Sequence, residues 1–141
     1  MTGAASVPHI WVDANVILRL LTGQPEGQAR ASAALMRRAD AGELRLRVAP
    51  LVVAEVVWVL TSAYDMPADR VAAVLGDFLA SGGLIVDEGM LLFTALAEMV
   101  AQRVDFFDAC LAANARHSRC AVATFDRDFD RLGVERVVLE G

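Results

Sequence analysis

Four acidic residues stand where apolar residues or turns would be expected, and they are where this chain could do chemistry. Asp13 closes the apolar run His9-Ile10-Trp11-Val12. Glu55 sits inside Leu51-Val52-Val53-Ala54-Glu55-Val56-Val57-Trp58-Val59-Leu60. Asp108 lies in Phe106-Phe107-Asp108-Ala109-Cys110-Leu111, and Asp126 follows Ala121-Val122-Ala123-Thr124-Phe125. Carboxylates gathered in one small volume repel each other, and a divalent cation relieves that repulsion. Oxygen-only ligands select hard ions such as Mg²⁺ or Mn²⁺. Zinc is disfavoured, because only His9 and His117 are available and neither stands in a ligand pattern. An all-carboxylate metal site suits phosphodiester hydrolysis and needs neither a histidine base nor a Ser or Cys nucleophile.

Each acid also has a plainer reading. A carboxylate among the nine apolar neighbours of Glu55 is expected to be buried, and a buried charge needs a cation, a hydrogen-bond network or a cleft. An ion pair with an arginine would satisfy it equally well. Asp13 and Asp126 each follow a strand, where Asp commonly caps the next helix. Taken together they gain weight, since both fall at the same edge of a sheet. Asp108 fits the first turn of a helix, where the dipole favours anions. Asp105, three residues earlier, is either its N-cap or a support to the site.

The elements that must carry these residues alternate between strand and helix. His9–Val12 reads as a buried strand. Asn15–Leu21 reads as a helix closed by Gly23, and Glu26–Ala41 as an Ala-rich helix stopped by Gly42. Leu44–Ala49 alternates leucine and valine with Arg45 and Arg47, as a strand does. Pro50 opens a largely buried helix over 51–63, and 67–80 is amphipathic. Leu84-Ile85-Val86 reads as a strand, with helices over 88–102 and from Asp105 to Arg116. A strand over 120–125, a helical turn over 128–132 and a strand over 137–139 complete the chain. This alternation calls for an α/β fold whose parallel sheet is covered on both faces. In such sheets functional groups gather outside the carboxyl ends of the strands.

Bulk properties narrow the classes. The 141 residues suit a single domain spanning 1–141, and 56% of them are hydrophobic. Mean hydropathy is +0.45, which excludes a disordered chain. The formal net charge of −5 argues against a passive nucleic-acid coat protein. It leaves room for an enzyme that reaches phosphates through metal ions. All 13 basic residues are Arg, a residue suited to bidentate phosphate contacts and equally a mark of GC-rich coding. Cys110 and Cys120 match no disulfide, zinc or redox spacing, and are read as reduced residues in a cytosol. Asp13 and Arg19 interrupt the first apolar run, so neither a signal peptide nor a membrane span is expected.

With its flanks, the order Asp, Glu, Asp, Asp resembles the PIN-domain nucleases, and above all their VapC-like toxin branch. Val12-Asp13-Ala14-Asn15-Val16-Ile17-Leu18 resembles the opening motif of that family. Glu55 before Val56-Val57-Trp58 resembles the second motif. Asp108-Ala109-Cys110-Leu111-Ala112-Ala113 resembles the third, and Thr124-Phe125-Asp126-Arg127-Asp128-Phe129 the fourth. The likeness runs from His9 to Leu139. It implies a three-layer sandwich of helices around a central parallel sheet of four to five strands, and Mg²⁺- or Mn²⁺-dependent cleavage of RNA. Asp13, Glu55, Asp108 and Asp126 carry over as the metal-binding catalytic set. Asn15 and Thr124 match supporting positions, and Asp128 a recurrent acid of varying role. The toxin branch further implies a homodimer and a cognate antitoxin that blocks the site. Pro50 departs from the small polar residue usual before the second-motif helix, which alters capping rather than chemistry.

Other readings remain beside it. A phosphatase of the haloacid-dehalogenase kind wants a second acid two residues after the first; that position is Asn15, and no lysine exists to clamp phosphate. A stand-alone nuclease of RNA maturation and a non-catalytic binding module would share the fold. Arg19 and Arg127 lie near the acids in sequence and are candidate phosphate contacts. The apolar faces bearing Val52, Val56, Val59 and Leu60, and Val71, Val74 and Phe78, are either a dimer interface or core.

Overall fold

The structure, a computed structural model, describes residues 6–139; the ends of the expected 1–141 domain lie outside the described residues. Five strands and six α-helices alternate along it. They are β1 (His9–Trp11), α1 (Ala14–Thr22), α2 (Glu26–Asp40), β2 (Arg45–Val48), α3 (Pro50–Ser62), α4 (Ala68–Leu79), β3 (Leu84–Val86), α5 (Gly89–Ala101), α6 (Phe106–Ser118), β4 (Val122–Ala123) and β5 (Arg136–Val137). A 3₁₀ helix, Arg127–Arg131, joins the last two strands.

All strand pairing is parallel, as helical crossovers require. β2 is the middle strand of the order β1-β2-β3, with Ile10 beside Leu46 and Leu46 beside Leu84. β4 and β5 form a second ladder, Val122 beside Arg136. The five expected strands are therefore present, divided into ladders of three and two. Two-residue β4 has few groups left to extend the larger sheet. The turn after it spends backbone N–H groups on side chains: Asp126 N–H donates to Thr124 Oγ1 at 3.0 Å and Asp128 N–H to Asp126 Oδ1 at 2.8 Å.

Helices pack around this frame, α1 on α2 and α3, and α5 on α4 and α6. The core is built from Ile17, Leu46, Val48, Val53, Val56, Leu60, Val71, Leu75, Leu92 and Leu96. Val56, Leu60, Val71 and Phe78, offered above as interface or core, are buried in it.

Two burial expectations are corrected. β1 is exposed at all three residues, with Trp11 57% accessible; it is an edge strand of the three-stranded ladder, and its buried apolar residue is Val12, just beyond it. Glu55 is also exposed. The buried stripe of α3 is Val53, Val56, Val57 and Leu60, at helical spacing. Glu55 lies on the other stripe with Leu51 and Trp58, which are themselves exposed. A run of apolar neighbours thus hides nothing when those one turn away face outward.

Candidate active site

The carboxyl ends of β1, β2 and β3 lie at one edge of the larger ladder and deliver three acids to it. Val12 is buried and Asp13 emerges next. Asp13 caps α1, its Oδ1 accepting from Val16 N–H at 3.2 Å. β2 runs through buried Val48 into Pro50, whose fixed φ suits the first turn of α3, and Glu55 follows one turn later. β3 ends at Asp87, which pairs with Arg47 of β2 at 3.3 Å. The Arg47 guanidinium also lies 4.9 Å from the centre of the Trp11 ring.

A second group of acids meets where α6 begins. Asp105 caps this helix, its Oδ1 accepting from Phe107 N–H at 2.7 Å. Asp108, half-buried, occupies the first turn. Its carboxyl is held above the ordinary 3.8 by burial first, then by the negative charges of Asp105, Asp126 and Asp128. Asp126 caps the 3₁₀ helix. Asp128 is engaged by Arg131 at 3.1 Å. Thr124 supports this turn through the hydrogen bond to Asp126 N–H.

Asp105, Asp126 and Asp128 are thus near enough to raise the Asp108 carboxyl. Asp13 and Glu55 are not among the charges acting on Asp108, and Asn15 stands exposed beside its capping neighbour. Among the described residues, no three His, Cys, Asp or Glu side chains are close enough to hold one ion. The donor chemistry nevertheless fits a hard cation. Asp108 is surrounded by like charge that a divalent ion would neutralise, and every candidate ligand is a carboxylate. No ion pair engages Glu55 among the described residues, so the arginine alternative is not what the structure forms. Arg19 is occupied by Gln28 at 2.7 Å, whereas Arg127 is exposed at the start of the acid-bearing turn.

Two aromatic residues escaped the sequence reading. Trp58 and Phe107 line a cleft of about 480 Å³ with Leu51, Ala54 and Glu55. The spacing 51, 55, 58 was the available signal, since it places Glu55 on an apolar stripe of its own. Cys110, on α6 with Phe107, is pushed up to about 11 by burial, then by Asp105 and Glu88, and stays a thiol at neutral pH.

Compared with known families, residues 10–135 match the PIN domain. No curated protein matches the chain. Proteins with this domain are generally nucleases that use divalent metal ions. No helix among the described residues is long and apolar enough to cross a membrane.

Proposed function

The chain belongs to the PIN-domain family, and from that premise we propose that it is a Mg²⁺- or Mn²⁺-dependent endoribonuclease. The observation that carries this reading is the crowding of Asp108 by Asp105, Asp126 and Asp128. Crowded carboxylates in a first helical turn are costly to a fold and useful to a metal site.

In this reading Asp13, Glu55, Asp108 and Asp126 would hold divalent metal, though no three of them stand close enough in the structure to share one ion. A bound divalent cation supplies Lewis-acid polarisation of the phosphodiester and neutralises charge developing on it. The protein's own part is positional. Asp13 and Asp126 are fixed by the backbone N–H groups they cap. Asp105 and Thr124 order the two turns that present Asp108 and Asp126. Arg127, exposed beside Asp126, is placed to meet RNA phosphate. Asn15 and Asp128 are assigned supporting roles.

We assign the chain to the toxin side of a toxin–antitoxin pair acting in the cytoplasm as a homodimer, with a cognate antitoxin covering the acids. The motif order that resembles the toxin branch supports this. A small neighbouring gene encoding a DNA-binding protein with an apolar, arginine-bearing tail would bear it out, and its absence favours a stand-alone RNA-processing nuclease.

The test of the chemistry is Asp13→Asn. Asparagine caps a helix about as well as aspartate, so the fold survives while metal-dependent RNA cleavage disappears. Undiminished cleavage by this variant would defeat the assignment. EDTA should likewise stop the wild-type enzyme, and Mg²⁺ or Mn²⁺ should restore it.

A further inference from the structure

The turn that carries Asp126 and Asp128 is gripped at its far end by a side chain the proposed chemistry does not use. Arg116 stands on α6, about two turns beyond Asp108. One nitrogen of its guanidinium donates to Glu98 Oε1 on α5, and another to the Leu132 carbonyl, where the 3₁₀ helix ends. A single planar fork thereby joins the helix bearing Asp108, the turn bearing Asp126 and Asp128, and the last turn of α5. Arg131 fastens the same turn to the same place, donating to the Gln102 carbonyl at 3.2 Å and to Asp128 at 3.1 Å. Gln102 caps α5 one turn after Glu98, and the chain runs on from it through buried Val104 to Asp105. Phe129 and Leu132 are buried beneath the 3₁₀ helix, and hydrogen bonds link Leu132 to Phe129 and Asp128 to Asp126. A displacement at Leu132 is therefore carried to Asp126.

We propose that Arg116 is a positioning residue: by gripping Glu98 and the Leu132 carbonyl together, it holds Asp126 and Asp128 at the separation from Asp108 that the acid site requires. This rests on the reading of Asp108 and Asp126 as metal-holding acids. The grip is poorly built for stability alone. Glu98 Oε2 is buried with no hydrogen-bond partner among the described residues, and a buried ion pair left half-satisfied repays little of its desolvation. What the fork does supply is geometry, since a rigid plane of donors meets a carboxylate and a carbonyl at once in few ways. Carboxylates that repel each other, as those around Asp108 do, spread apart unless the backbone beneath them is fixed. Arg116 fixes it from behind, out of reach of the ion.

The test separates position from stability. Arg116→Ala combined with Glu98→Leu removes the fork and the buried charge together, so the urea midpoint should stay near that of the wild type. Mn²⁺ affinity, measured by calorimetry, should nevertheless fall about tenfold, the low end of what a lost supporting contact costs a metal site. In EDTA, the Asp128 and Leu132 amides should exchange with deuterium roughly tenfold faster by NMR, while Ala112 within α6 is unchanged. Arg116→Lys keeps a cation beside Glu98 and loses the fork. It should show the same two changes, and it decides the matter by the same criteria if the double variant does not fold. Wild-type Mn²⁺ affinity in these variants, or unchanged exchange at Asp128 and Leu132, overturns the positioning role and leaves a structural ion pair. Mn²⁺ binding and RNA cleavage by the wild type are scored separately. Turn amides loosened in the variants, with no Mn²⁺ binding by the wild type, sink the metal reading alone. Mn²⁺-dependent cleavage by the wild type, with no loosening in the variants, sinks the positioning role alone.

Discussion

Asp108→Asn should make the metal-free protein slightly more stable and the metal-loaded protein clearly less so. Asparagine keeps the shape of the side chain and removes its charge. Asp105, at i−3, repels Asp108 by about 0.2–0.5 kcal/mol, the usual size for like charges on one helix face. Asp126 and Asp128 add repulsion of similar order, screened because both positions reach solvent. The three together come to about 0.6–1.5 kcal/mol. Against this, an anion in the first turn of α6 gains about 0.3–1 kcal/mol from the helix dipole. These two ranges nearly cancel, and relief of burial, the first cause of the raised carboxyl, tips the balance to the variant, by up to about 1 kcal/mol or about 4 °C in Tm. Metal reverses the order. At a concentration a hundred times Kd, binding stabilises the wild type by about 2.7 kcal/mol, or about 5–10 °C, and the variant gains little. Thermal melts in EDTA and in Mn²⁺ measure all four values. The sign with pH follows from the raised carboxyl. Its charge is unfavourable above the folded pKa, so the variant's advantage in EDTA is full at neutral pH. It fades as the pH falls through the folded pKa towards 3.8, the ordinary value. A wild-type Tm indifferent to Mn²⁺ and Mg²⁺, or an equal gain in Asp108→Asn, would refute this account of the acid cluster.

Gly83→Ala should cost about 2–5 kcal/mol in urea unfolding, because its φ is +82° and a Cβ would come within 2.7 Å of Ala39 O. Gly42→Ala, with φ +80° and open space around it, should cost only about 1–2 kcal/mol; equal losses would contradict the close approach. Arg116→Ala strips the cation from Glu98, whose side chain is 24% exposed, and should lose about 2–3 kcal/mol. Pairing it with Glu98→Leu should recover most of that, as chemical denaturation would show. At neutral pH iodoacetamide should label exposed Cys120 well before Cys110, whose thiol is pushed up to about 11; mass spectrometry of partly labelled protein decides this.

Where residues report their neighbours along the chain, the fold could be read in advance. Gly23 in the left-handed conformation ends α1, Pro50 opens α3, and Leu84–Val86 forms β3 with the boundaries its composition suggests. Capping was legible for the same reason, since Asp13, Asp105 and Asp126 bond to backbone two or three residues away. What failed depended on tertiary facing. The exposure of Glu55 follows from which stripe of α3 meets the core, and α3 is apolar on both. The exposure of β1 follows from what packs on the faces of an edge strand, which no local pattern in His9–Trp11 encodes. The gathering of Asp108 with Asp126 and Asp128 joins elements that only the folded chain brings together. Their order along the sequence resembled a family whose domain residues 10–135 match.

Asp126 and Asp128 ride on the turn between β4 and β5, so they are the last of these acids to be synthesised. A ribosome making the chain adds Asp13, Glu55 and Asp108 before that turn exists. At roughly 5–20 residues per second, the stretch from Glu55 to Asp126 takes roughly 4–14 s. Throughout that interval the growing polypeptide lacks two of the three charges that raise Asp108. On the proposed reading, the messenger and the ribosomal RNA alongside it meet an inert nuclease until translation has passed the final acids and the turn has folded against α6.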